Sequence, residues 1–121
     1  MRPGALLNAA GENILIGGFV IRGNTPLRVL VRGTGPSLTS FGVTNAVSDT
    51  IVQIWQGSTM LAENDDWKTT QQAAITATGY APLNDREGAI LMTLQPGAYT
   101  TTIRGKNNAI GVGLVEAFLV D

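Results

Sequence analysis

The chain has 121 residues, a net charge of −1, 44% hydrophobic and 14% charged residues, and neither cysteine nor histidine. That length makes one domain whose core needs no covalent staples. The missing residue types exclude disulfides, thiolate metal sites and Ser-His-Asp or Cys-His catalysis, and the charge balance excludes a basic field for nucleic acid or an anionic membrane.

With so few charges, the surface must be coated by neutral polar residues and glycine. The apolar run Ile14 to Ile21 is too short to cross a bilayer, so no membrane insertion is expected. Met1-Arg2-Pro3-Gly4 is not followed by the apolar stretch of a signal peptide. The chain therefore reads either as cytosolic or as a mature or excised piece of something longer.

Residues 1–12 read as an N-terminal arm or linking strand, and residues 13–121 as the folded domain. Asn13 to Ile21 is a strand with few polar residues, which predicts cover on both faces. Gly17-Gly18 inside it marks a bulge or a close approach. Gly23-Asn24-Thr25-Pro26 is a turn, and Leu27 to Arg32 returns. A symmetric hairpin puts Val20 opposite Leu30, Arg22 beside Arg28, and Gly18 opposite Arg32, with room for the Arg32 stem. Gly33-Thr34-Gly35-Pro36 ends the strand. It is not a phosphate loop, because it lacks lysine and its proline removes an N–H. Phe41 and Val43 are predicted to dip into the core, and Ser48-Asp49 is a turn.

Thr50 to Gln56 and Thr59 to Glu63 are strands joined at Gly57-Ser58, which brings Trp55 opposite Met60. Thr69 to Thr78 is the one helix candidate, capped by Thr69 or Thr70 and stopped by Gly79. Glu87 to Leu94 and Ala98 to Arg104 form the clearest hairpin, with Pro96-Gly97 suited to a type II turn. Along the second strand Tyr99, Thr101 and Ile103 share one face. Ile110 to Val120 is a strand with a single charge, Glu116, and a turn at Asn107-Asn108 puts Tyr99 opposite it. The sum is an all-β fold: an antiparallel β-sandwich, jelly-roll-like, of about seven or eight strands with one short connector helix near 69–78.

The succession LIGGFVI, VLVRGTGPSL, FGV, ENDDW, LQPGAYTTTIRG and GVGLVEAF resembles a β-sandwich module repeated in large secreted and cell-surface bacterial proteins. Its overall look is similar to bacterial pre-peptidase C-terminal domains, over roughly residues 11–120. The resemblance implies an accessory or structural unit outside the cell, set beside other copies of itself or adjacent modules, and not an enzyme.

Asn64, Asp65 and Asp66, with Asp85 and Glu87 close in sequence, offer the oxygen ligands that calcium takes. The competing reading is an Asx-turn that caps the next segment. No other cofactor is expected. Trp67 and Tyr80 could stack on a glycan, or Trp67 could fold back as a lid over one end of the sandwich. The carboxylates have no spacing that demands a glycosidase pair. Arg32 and Glu116 are charges inside apolar strands, so they are expected to meet or to find backbone partners. With no catalytic constellation, the expected role is a fibre, filament or stalk subunit joined through strand edges, or through exchange of residues 1–12 or Ile110 to Val120. A carbohydrate-binding or calcium-dependent adhesion module is the alternative.

Overall fold

A computed structural model of the chain describes residues 4–11 and 14–120, with 4–11 and Asn108 described as backbone only. Residues 1–3 of the predicted arm, and its boundary at 12–13, lie outside the described residues. Eight strands follow in order: β1 (Gly4–Gly11), β2 (Leu15–Ile21), β3 (Leu27–Thr34), β4 (Thr50–Gln56), β5 (Thr59–Asn64), β6 (Ala89–Leu94), β7 (Gly97–Gly105) and β8 (Gly113–Val120). One helix, α1 (Gln72–Ala77), lies between β5 and β6.

The strands form two four-stranded antiparallel sheets, ordered β1-β8-β3-β6 and β2-β7-β4-β5. That interleaving is the double Greek key of a jelly roll. The predicted sandwich is therefore present. Gly4–Gly11 is a strand of it, paired with β8 of the same chain.

Alternation builds the core. Val29, Val31, Val115, Ala117 and Ile90 point inward from the first sheet, against Phe19, Ile21, Tyr99, Ile103, Val52 and Ile54 of the second. Tyr99, Thr101 and Ile103 do share the buried face, as predicted. The outer face of the first sheet is also covered. Leu30, Leu91, Phe118 and Val120 pack there against Trp67 and Ile75, carried by the connection that includes α1. Burial on both faces explains why β3 and β8 carry nearly continuous apolar runs.

Three pairings predicted from the sequence, β2 with β3, β6 with β7 and β7 with β8, are absent. β2 pairs with β7, while β3 pairs with β6 and β8 in the opposite sheet. Val20 faces Ala98 and Gly18 faces Thr100, so Gly18 leaves no room for Arg32 and Arg22 is not beside Arg28. β6 and β7 separate in the same way. Gly97 has φ of 154°, not the value near +80° of a type II turn, and already pairs with Ile21. The physical reason is that a turn between alternating strands looks the same whether it closes a hairpin or crosses to the facing sheet, about 10 Å away. Tyr99 lies opposite Phe19, their rings stacked at 5.7 Å, and not opposite Glu116.

Four smaller expectations also change. The outer face of β2 is uncovered, with Ile16 and Val20 exposed. Phe41 is exposed and Val43 half-buried, while Leu38 and Val47 fill the core position. α1 starts at Gln72 after Gln71, with no side-chain cap from Thr69 or Thr70, although Gly79 (φ 81°) stops it as expected. β8 begins at Gly113, leaving Ile110 exposed before it. The Gly57-Ser58 turn and the Trp55–Met60 pair are present.

Candidate functional site

Strand register gathers one acidic cluster. Thr50 pairs with Gly105, and Val52 with Asn64, so the start of β4 and the ends of β5 and β7 share one end of the sandwich. That places Asp49, Asp65, Asp66 and Lys106 together. One carboxylate oxygen from each aspartate lies within 4.8 Å of the others. The Oδ1 atoms of all three are buried without a hydrogen-bond partner among the described residues. Lys106 Nζ sits 2.7 Å from Asp65 Oδ2, and its backbone N–H donates to Asp49 O at 3.0 Å. Burial, then contact with the Asp65 carboxyl and the charges of Asp65 and Asp66, push the Asp49 carboxyl up to about 6. The bond to Asp65 raises Lys106. Converging, unsatisfied carboxylate oxygens are a donor set that fits a hard cation such as calcium, whose remaining ligands would be carbonyls and water.

Asp65 and Asp66 of the predicted calcium loop belong to this cluster, and Asn64 does not. Asn64 Oδ1 accepts from Ala89 N at 3.0 Å, and its Nδ2 donates to Asp66 O and Thr70 Oγ1, each at 3.3 Å. Asp85 pairs with Lys68 at 2.9 Å instead. Sequence reasoning missed Asp49, although the β4–β5 hairpin carries the signal: Val52 opposite Asn64 sets the turn before Thr50 beside the loop after β5.

Trp67 does not form a sugar platform. Its side chain is in the core of the outer layer, 6% exposed, and Nε1 is buried without a hydrogen-bond partner among the described residues. Tyr80 stacks on Phe118 with centroids 4.5 Å apart. Trp67 does fold back, but onto the outer face of the first sheet and not over one end of the sandwich, because β3, β6 and β8 need a second apolar cover.

Arg32 and Glu116 do meet. They are paired across β3 and β8, with Arg32 Nε donating to Glu116 Oε1 at 3.0 Å. Arg32 Nη1 donates to Tyr80 O at 2.9 Å, and the guanidinium lies 4.8 Å from the Phe118 ring centre. Beside the pair opens a groove of about 320 Å³, walled by the 3-10 segment Pro36–Phe41 and the loop that carries Leu83.

Glu87 fastens both walls. It is fully buried. Its Oε2 accepts from Gly35 N at 2.8 Å, Ser37 N at 3.0 Å and Ser37 Oγ at 2.6 Å, while Oε1 accepts from Asn84 N at 3.2 Å. So Gly35 and Ser37, on either side of Pro36, cradle an anion, and the anion is the chain's own carboxylate. Gly35 is required there, since a Cβ would stand 2.6 Å from Val47 O.

No protein-family model and no curated protein matches the chain. Among solved structures it is similar to the pre-peptidase C-terminal domain of collagenase from Bacillus anthracis, at 8% identity and a TM-score of 0.55, over 92% of this chain and 87% of that one. The two share a fold. It is also similar to a Bacillus thuringiensis Cry1Da tryptic core variant, at 12% identity and a TM-score of 0.41 over 90% of this chain and 17% of that one. A third is the Arthrobacter globiformis T6 isomalto-dextranase complexed with panose, at 14% identity and a TM-score of 0.38, over 89% of this chain and 16% of that one. Among the described residues, no helix is long and apolar enough to cross a membrane.

Proposed function

We propose that this chain is a non-catalytic extracellular module of a bacterial protein, which assembles with neighbouring copies or adjacent modules through the outer face and edge of the β2-β7-β4-β5 sheet. The observation that carries the reading is the outward row of β2. Ile16 and Val20 are 64% and 52% exposed on a strand at the margin of its sheet, and Ile14, just before that strand, is 64% exposed. Met60 and Leu61 are exposed on β5 at the other margin. Exposed apolar side chains on the outward face of an edge strand, here Ile16 and Val20 on either side of Gly18, mark a docking surface.

The contrast with β6 supports the choice of sheet. There the Gln71 amide donates to Leu91 O at 2.8 Å and accepts from Leu91 N at 3.0 Å, while Asn64 takes the Ala89 N–H. Side chains thus occupy the backbone groups that an added strand would need. The fold shared with a pre-peptidase C-terminal domain fits an accessory role and a secreted or cell-surface setting. Backbone hydrogen exchange at rising protein concentration tests the reading. Protection that grows in β2 and not in β6 is expected, and protection that does not change with concentration would sink it.

A second reading has its own observation. The three unpartnered carboxylate oxygens of Asp49, Asp65 and Asp66 favour a calcium-dependent adhesion module. Calcium would then raise the melting temperature and a chelator would lower it.

A further inference from the structure

We propose that the groove between Phe41 and Leu83 binds a neutral pyranose unit of a glycan, at a site unrelated to Trp67. Its volume of about 320 Å³ falls in the range of small-ligand pockets, about 300–1,000 Å³. A few convergent polar groups within an apolar lining are the usual composition of such a site.

The floor specifies the ligand's polarity. Arg32 uses Nε and Nη1, and Glu116 uses Oε1, leaving Arg32 Nη2 and Glu116 Oε2 with no partner among the described residues. A donor and an acceptor therefore belong to one ion pair that lines the groove, and their charges cancel. An anion would be drawn to one and repelled by the other, and so would a cation. Two adjacent hydroxyls satisfy both atoms, one accepting from Arg32 and the other donating to Glu116.

The walls specify its faces. Phe41 and Leu83 are 72% and 75% exposed, and both line the groove. An exposed aromatic ring beside a polar floor suits a ligand with an apolar C–H face and hydroxyls on its rim, as a pyranose has. The site is also preorganised. Glu87 ties the 3-10 segment that ends in Phe41 to Asn84, next to Leu83, so both walls are fixed before any ligand arrives.

The test is an NMR titration of the isotope-labelled full chain with the methyl pyranosides of glucose, galactose and mannose. Cyclohexanol serves as a ring without adjacent hydroxyls, and a neutral capped tripeptide as a peptide control. Saturable shifts at the Ser37, Phe41 and Leu83 amides are expected with at least one pyranoside and with neither control. Phe41→Ala alters an exposed side chain, so it should fold like the parent and bind about tenfold more weakly, the loss of one aromatic contact. Leu83→Ser, also at the surface, should weaken binding in the same direction. The proposal is overturned if no pyranoside gives saturable shifts, if cyclohexanol or the peptide binds the groove as well, or if Phe41→Ala binds like the parent.

Discussion

Replacing Glu87 tests whether one buried carboxylate organises the groove end of the sandwich. Four donors reach it, and Gly35 N and the Glu87 carboxylate are fully enclosed. A hydrogen bond to a charged group nets about 1.5–3 kcal/mol, and a buried donor left unpaired costs about 1–3 kcal/mol. The four bonds share one acceptor group and do not add. Glu87→Ala strips the backbone donors of Gly35 and Ser37 together and leaves a void, which sums to about 4–5 kcal/mol. Glu87→Gln keeps one acceptor oxygen for three of the donors but turns an NH2 toward Asn84 N–H, at a cost of about 2–3 kcal/mol. Urea unfolding at neutral pH reads both values, with the slope checked for two-state behaviour. The order Glu87→Ala worse than Glu87→Gln worse than parent is expected. A cost below about 1 kcal/mol for Glu87→Ala would refute the assignment, because that is the size of a surface effect.

Three further outcomes follow from particular contacts. Gly88→Ala places a Cβ 2.4 Å from the Asn64 backbone carbonyl, and urea unfolding should show a loss of about 3 kcal/mol at a strand start that cannot yield. Trp67→Ala should cost about 4 kcal/mol as a buried aromatic, whereas Trp67→Phe, which also removes the unpartnered Nε1–H, should cost about 1 kcal/mol or less. The folded Asp49 carboxyl at about 6, against its ordinary 3.8, holds a proton in that window which the unfolded chain has lost. Stability measured without divalent cations should therefore fall as pH rises from about 4 to about 6, Asp49→Asn should flatten that slope, and calcium should restore stability at neutral pH. A flat profile in the parent would remove the cluster's role.

Much of the fold was legible because two signals are local. Period-two alternation located Thr50 to Gln56 and sorted the faces of Tyr99 to Arg104, and Gly57 and Gly79 punctuated as their positive φ requires. Arg32 and Glu116 were legible for a different reason: a charge inside an apolar strand needs a partner, and few were on offer. What alternation cannot encode is which strand lies alongside. A jelly roll places most consecutive strands in facing sheets, β4 and β5 excepted, so the other expected hairpins opened into crossings. Non-local contact hid Glu87, whose donors Gly35 and Ser37 lie far earlier in the chain, whereas Asp49 reaches Asp65 and Asp66 through the β4–β5 hairpin that alternation did locate. Trp67 and Phe41 exchanged places: the aromatic expected in a polar loop is buried, and the one expected in the core is exposed. Cover for the outer face of the first sheet decides that exchange, and no short window of sequence shows it.

The proposal that the second sheet carries assembly rests on the outward row of β2, and sedimentation velocity over a wide concentration range tests it most directly. The parent chain should show species larger than a monomer that grow with concentration, and Ile16→Lys, at an exposed position that leaves the core intact, should sediment as a monomer throughout. A parent chain that stays monomeric at every concentration, or an Ile16→Lys variant that associates as the parent does, would contradict it.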